Sequence, residues 1–422
     1  MRLFNDSNHE KLEITISELN NKKQIDEVWL KISKNRFFRN VVKQFIPIIL
    51  LKETVAKLVN IFIVKIVQNS YLKKAINQGG TMYKSQRIQL SFYDTIYDKL
   101  ISKDHFLRKL NSLIQWDKLE PVFKPLYHKG AGRSANNPVM MFKSLMLQFL
   151  YDLSDRELED NIHDRVSFRY FIGLDPLESA PDHTNYCRFR DRLGAVTIAK
   201  LFNEVVNQAR ERGLVKDRLC IVDATHVQAK VNTYRMNSDT SKRETDDNGS
   251  PPSRIDPDAR HGYKSKNKPF FGYKVGIGVD KNTNIITMVT STPGNEHDST
   301  HFSDVADPHA KAVTADKGYD SPANFKLIRE RKQKAAILVK KRKGKQRGHI
   351  KARYPAVKEY QYYYRMKKFR PLIEKIFATA KQWYGLRRAR YWGLAKMKIQ
   401  AVMTMMAINL KRMVLLDTCV YK

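Results

Sequence analysis

Apolar and polar positions change their rhythm along this chain. From Phe92 to about Gly213 apolar residues return every three or four positions, as in Phe92, Ile96 and Leu100, and the run Met140 to Tyr151 is dense enough for a buried helix. Asn137-Pro138 ends one segment and opens the next. Ser154-Asp155-Arg156-Glu157 has the Ser-x-x-Glu form in which each end satisfies a free backbone N–H of the other, so it predicts a fresh helix start. Pro181-Asp182-His183-Thr184 opens a further helix carrying Arg188, Arg190, Asp191 and Arg192, with His183 as a polar residue of the helix entry. A helix, a short turn and a helix with exposed arginines is compatible with a helix-turn-helix DNA reader.

After Gly213 the pattern shortens. Leu219 to Val222 is apolar and runs into Asp223, predicting a buried strand that ends in a carboxylate. The polar stretch 232–269, with Pro251-Pro252, predicts an exposed loop. Tyr273, Val275, Ile277 and Val279 then alternate with Lys274, Gly276, Gly278 and Asp280, Asn282-Thr283-Asn284 turns, and Ile285 to Thr290 returns, which together predict an antiparallel hairpin with Tyr273 in the core. Asp298-Ser299 predicts a capped helix to about Val305. Ala312 to Ala315 is a second strand running into an acid, Asp316, followed by Lys317, Gly318 and Tyr319. A helix from Ser321 to about Lys332, a strand from Ala335 to Val339, a basic insert over 340–368 and a helical region from Pro371 to about Leu416 complete the reading. Residues 1–81 carry their own apolar stripe, Val41 to Val67, and end at Gln78-Gly79-Gly80; we read them as an extension upstream of a natural start at Met82. The expected division is therefore 1–81, a helical DNA-binding region over 82–215, and an α/β domain over 216–422.

Charge narrows the function. Lys and Arg number 77 against 43 Asp and Glu, a formal +34, and such an excess repels itself unless a polyanion neutralises it. The basic residues are spread along the chain among 20 Tyr and 20 Phe, which fits a broad DNA-binding surface better than a single membrane-binding helix. Gln44 to Val67 is interrupted by Lys52, Glu53, Lys57 and Lys65, short of the ~18 uninterrupted apolar residues a membrane span needs. Polar residues sit where a signal peptide would be apolar. Cys187, Cys220 and Cys419 share no spacing for a disulfide framework or a usual zinc site, so a cytoplasmic protein is expected.

Two strands that each deliver an acid can bring Asp223 and Asp316 together. A third acid, Glu374, has Arg370 four residues before it and Lys381 seven after, steps that return to one helix face. Pro371 disfavours helix at Arg370 and reads as the first helical position, which puts Arg370 at the cap. Taken together, Val222-Asp223-Ala224-Thr225, Phe271-Gly272-Tyr273-Lys274, His297-Asp298, Ala315-Asp316-Lys317-Gly318-Tyr319 and the Arg370, Glu374, Lys381 run resemble the DDE transposases of bacterial insertion sequences, in the group that includes the IS-four and IS-five families. The resemblance covers about Met82 to the C-terminus. It departs at Lys367, where the family signature has a Tyr.

The resemblance implies an α/β fold, an RNase H-like mixed sheet flanked by helices and preceded by an all-helical DNA-binding region. It implies catalysis by Asp223, Asp316 and Glu374, which would also be the ligands of two Mg²⁺ or Mn²⁺ ions, Asp223 bridging them. Hard cations suit carboxylates rather than Cys or His clusters. It further implies that Arg370, Lys381 and Lys317 contact DNA, joined by Arg188 and Arg190 of the helical region. The partners would be the terminal inverted repeats and target DNA, bound by a homodimer. His226, three residues beyond Asp223, reads as a solvated strand-end residue that can also face a metal. An RNase H-like nuclease or resolvase that cuts without joining, and a decayed DNA-binding regulator, are the alternative readings.

Overall fold

The computed structural model describes residues 92–127, 135–175, 178–232, 256–265, 268–340 and 346–420, with two short strands near the N-terminus. The chain divides into two units, 1–81 and 82–422. In the first, β1 (Arg2–Leu3) pairs antiparallel with β2 (Leu12–Glu13); the stripe Val41 to Val67 lies outside the described residues.

The second unit begins with helices. After α1 (Phe92–Leu100) and α2 (Phe106–Leu113), α3 (Pro138–Leu150) starts where Asn137 Oδ1 accepts from the N–H groups of Val139 and Met140 at 2.8 and 3.2 Å. Pro138 falls where a missing N–H costs nothing. The reciprocal cap at Ser154 and Glu157 forms as expected and starts α4 (Asp155–Asp164). Helix α5 (Val166–Ile172) follows, and α6 (His183–Glu211), capped by Asp182, bends at Gly194. Residues 173–182 separate α5 from α6, too long a connection for the tight helix-turn-helix that the sequence invited.

Arg190 also departs from expectation. It is 5 % exposed and forms a two-pronged pair with Asp155 at 2.8 and 2.7 Å, so it ties α6 to α4 and is not one of the exposed arginines. Asp155→Ala strands this buried guanidinium, and a loss of about 3 kcal/mol is expected on chemical denaturation. DNA affinity of the folded variant should be unchanged.

The sheet supplies the scaffold of the site. β3 (Cys220–Gln228) pairs antiparallel with β5 (Lys268–Asp280), and β5 pairs on its other edge with β6 (Ile286–Pro293). On the opposite side β3 runs parallel to β7 (Ala312–Ala315), which runs parallel to β8 (Lys334–Ile337). The order β6-β5-β3-β7-β8, with the first strand central, is the mixed RNase H-like sheet the resemblance implied. β4 (Arg260–Ser265) pairs with the N-terminal half of β5. It occupies part of the stretch expected to be loop; residues 233–255 lie outside the described set.

Helices cover both faces. Ile221, Val275, Ile277 and Val279 pack into one core with α6, α10 (Leu372–Trp383) and α11 (Leu394–Val420), while Cys220, Val222, Val313 and Ala315 pack into a second with Phe302, Phe325, Tyr354 and Tyr363. The residues of the second core come from the one-turn helix Phe302–Val305, from α7 (Pro322–Glu330), and from around α8 (Gln346–Arg353) and α9 (Val357–Met366). The described part of the basic insert is thus largely helical, with Tyr354 and Tyr363 docked in the second core.

The first core contains residues from Leu107 to Val414, so 82–215 and 216–422 are not separate bodies. Much of this union runs through α11, whose Asn409 side chain bonds both the N–H and the C=O of Ile286 on edge strand β6 at 2.8 and 2.7 Å. By length and composition α11 is apolar enough to cross a membrane, yet 72 % of its most apolar window is buried inside the protein. The C-terminal region is not helical throughout: residues 384–393 break it between α10 and α11.

Candidate active site

Alternation along two strands decides where the acids point. Residues 220 and 222 of β3, and 313 and 315 of β7, enter the second core; Ile221 enters the first. Asp223 shares the parity of Ile221, and Asp316 the parity opposite to Ala315, so both face the side covered by α10. The register pairs Val222 with Ala315, which makes Asp223 and Asp316 the next positions on adjacent strands.

Asp223 is not at a strand end. β3 continues to Gln228 because β5 stays paired with it, Asp223 opposite Ile277. β7 stops at Ala315, and Asp316 opens a 3₁₀ turn, Lys317–Tyr319. The carboxylate of Asp223 therefore sits where its parallel neighbour peels away and leaves room at the sheet.

Into that room comes Arg370. Its Nη2 lies 3.1 Å from Asp223 Oδ2, its Nε 3.7 Å from Asp316 Oδ1, and its Nη1 3.1 Å from Glu374 Oε1. One guanidinium thus gathers acids separated by up to 151 residues. Pro371 does not push Arg370 out of the helical region: Arg370 has φ −51° and ψ −41° and leads from the turn Lys367–Phe369 into α10, with Glu374 in the first turn. Lys381, half-buried, lies two turns beyond Glu374 on the same helix.

Electrostatics mark Asp223. Burial pushes its carboxyl up to about 6, against the pull of Arg370 and the Ala224 N–H, with the charges of Asp316 and Asp298 adding to the rise. Tyr319, 2 % exposed, is raised well above the usual phenol range by burial first and then by Asp298, Asp223 and Asp316. It stays a neutral donor beside the acids.

The pH consequence has a definite sign. The folded state holds the Asp223 proton more tightly than the unfolded chain, so its contribution is full below about 4 and is lost as pH rises through about 6. The difference is roughly 3 kcal/mol. Urea titrations of the metal-free protein should show stability falling between pH 4 and pH 7, and Asp223→Asn should flatten that part of the profile.

The other singled-out residues divide. Lys317 and Arg188 are exposed, while Arg190 is buried. His226 lies an odd number of residues from Asp223 on one strand, so it faces the opposite side, against Phe270 at 5.1 Å. Tyr273 is core, bonded to Asp256. His183 bonds Glu159 at the entry of α6. The cap before Val305 is His297, not Asp298: its ring accepts from the Ser299 N–H, while Asp298 pairs with Lys274 at 3.0 Å. Lys274 also donates to Glu296 O, so it is held within the protein. Asp298 and Tyr319, both within the motifs that carry the resemblance, lie within electrostatic reach of Asp223.

Comparison with known proteins decides what this arrangement belongs to. Residues 95–192 match the model of a transposase domain (DUF772), and residues 215–410 match that of the transposase DDE domain. The chain belongs to the DDE transposases. Among solved structures, one similar to this transposase is the cryo-EM structure of the piggyBac transposase synaptic complex with hairpin DNA, at 11 % identity and a TM-score of 0.36 over 80 % of this chain and 79 % of that one. That likeness is too slight to add to the family match.

A DDE transposase is an enzyme that cleaves and transfers DNA, and membership implies divalent metal. The donor set fits: three carboxylates offer hard oxygens and already surround a cation. Among the described residues no three His, Cys, Asp or Glu side chains stand close enough to hold an ion as they are. In the triad the intervening group is Arg370, whose buried Nε makes no hydrogen bond.

Proposed function

We propose that Asp223, Asp316 and Glu374 are the catalytic carboxylates of this transposase and hold two Mg²⁺ or Mn²⁺ ions. The enzyme acts at the terminal inverted repeats of an insertion sequence of the IS-four or IS-five type and joins the freed end to target DNA. One observation carries the reading: acids on β3, on the turn after β7 and on α10 converge on a single guanidinium in a chain of formal charge +34. When bound, the ions supply positive charge for the attacking and leaving oxygens of an in-line displacement at phosphorus.

The protein's own groups do the rest. Asp223, fixed by the Ala224 N–H at 2.9 Å, is the rigid member of the set, and Asp316 sits on the adjoining turn. Glu374, on a helix and more exposed, adjusts to what the two aspartates hold. Tyr319 keeps a neutral hydroxyl beside them and excludes water from behind. Lys317, Lys381 and Arg188 are the candidate phosphate contacts, with the helical region 82–215 engaging the ends. Two ends must be joined, so a homodimer on DNA is the expected assembly, working in the cytoplasm.

A strand-transfer assay tests the reading. Given a pre-cut end with a free 3′-OH, the wild type should yield joined product that depends on Mg²⁺ or Mn²⁺. Cleavage without any joined product would leave a nuclease, and tight end binding without metal-dependent cleavage would leave a regulator.

A further inference from the structure

The position of Arg370 has a consequence for metal loading that rests on the metal site just proposed. A guanidinium and a pair of divalent ions are alternative counter-ions for the same carboxylates. Arg370 contacts all three through different nitrogens, at 3.1, 3.7 and 3.1 Å, and it is three-quarters buried, with a side chain 23 % exposed. Its Nε is buried and makes no hydrogen bond, so the group is held by charge more than by directional bonds. Among the described residues the guanidinium bonds only the three acids. A cation held in this way can be displaced.

We propose that Arg370 is a displaceable counter-ion. In the metal-free protein it neutralises Asp223, Asp316 and Glu374 and keeps the site assembled; divalent ions enter as it leaves; and the released guanidinium turns to an anionic phosphate of bound DNA. Chain geometry permits this, because Arg370 stands at the junction of the Lys367–Phe369 turn and α10, where the side chain can swing without moving the helix. Lys367 and Lys368, on that turn, are cations that draw a phosphate to the same corner.

Two effects follow. Metal and Arg370 compete, so removing the guanidinium strengthens metal binding in the absence of DNA. DNA, by giving Arg370 another anion, strengthens metal binding in the wild type, and by linkage metal strengthens DNA binding equally. The first effect does not arise if Arg370 is only a phosphate contact, because then its loss weakens DNA binding and leaves the metal affinity of the DNA-free protein untouched.

The experiment is a Mn²⁺ titration of the full chain at pH 8, where Asp223 is ionised, following free Mn²⁺ by electron paramagnetic resonance, with and without a duplex of the element end. Arg370→Gln is expected to bind Mn²⁺ about tenfold more tightly than the wild type without DNA, and to gain less from DNA than the wild type does. Arg370→Lys, which keeps a shorter cation, should fall between them and serves if the Gln variant does not fold. Equal or weaker Mn²⁺ binding in a folded Arg370→Gln or Arg370→Lys protein overturns the proposal. Asp223→Asn separates this from failure of the metal site itself: if it binds Mn²⁺ as the wild type does, the assigned acids are wrong. If it loses Mn²⁺ while Arg370→Gln binds as the wild type does, the acids stand and the counter-ion role falls.

Discussion

Replacing Asp223 or Asp316 by Asn is expected to reduce strand cleavage and joining by about a thousandfold or more while leaving binding to element ends intact. Each substitution preserves shape and removes one anionic oxygen donor from a site whose chemistry depends on holding divalent charge. Asp223 faces the α10 side from a strand that stays paired with β5 on both sides of it, so Asn fits there without rearrangement. On the proposed assignment the three carboxylates act as a unit, and the double variant should therefore be no worse than either single one. Glu374→Gln should lose activity comparably. Gel-resolved cleavage products and end-binding shifts on the same preparations check both halves of the expectation. Variants that keep more than a tenth of wild-type joining would remove these residues from the active site.

A large effect on stability is expected elsewhere, at Gly278. A Cβ built there stands 2.1 Å from the backbone oxygen of Val305 and 3.1 Å from Cys220 Sγ. The obstacle is backbone, so it cannot rotate away; the one-turn helix Phe302–Val305 would have to move, pulling Phe302 and Val305 from the second core. Gly278→Ala should cost about 3 kcal/mol, in the range of overpacked cores. Gly318→Ala is the control, since a Cβ there meets nothing within 4 Å. Its thermal midpoint should match the wild type.

Those glycines show what the sequence did and did not carry. Alternation in β5 was legible as a strand, and Gly276 and Gly278 on one parity were a sign that something approaches that face closely. What approaches is a backbone 27 residues further on, from Gly278 to Val305, which no local pattern names. The acids were legible for a different reason: an apolar run that stops at a carboxylate is costly unless the carboxylate is used, and it occurs at Asp223 and again at Asp316. Glu374 was reached through the spacing of Arg370 and Lys381. The role of Arg370 was not, because side-chain order along a helix says nothing about which strands lie opposite.

Arg190 was readable in hindsight. Tyr186, Arg190 and Leu193 fall at i, i+4 and i+7, so Arg190 sits on the buried stripe, and Arg188 two positions earlier points elsewhere. Composition obscured the insert over 340–368, where abundant Lys and Arg masked helices docked by Tyr354 and Tyr363. The shared core of 82–215 and 216–422 was not legible, because α11, last in the chain, packs against helices of the first region, a long-range pairing that period and charge do not encode.

The most direct test of the three-acid site is to locate the ions themselves. Crystals of the transposase with an element-end duplex and Mn²⁺ should give anomalous peaks with Asp223, Asp316 and Glu374 oxygens at about 2.1 Å. In the same maps the guanidinium of Arg370 should have left the carboxylates. Peaks held by other side chains, such as Glu296 and Asp298, with the three acids still closed around Arg370, would contradict the account.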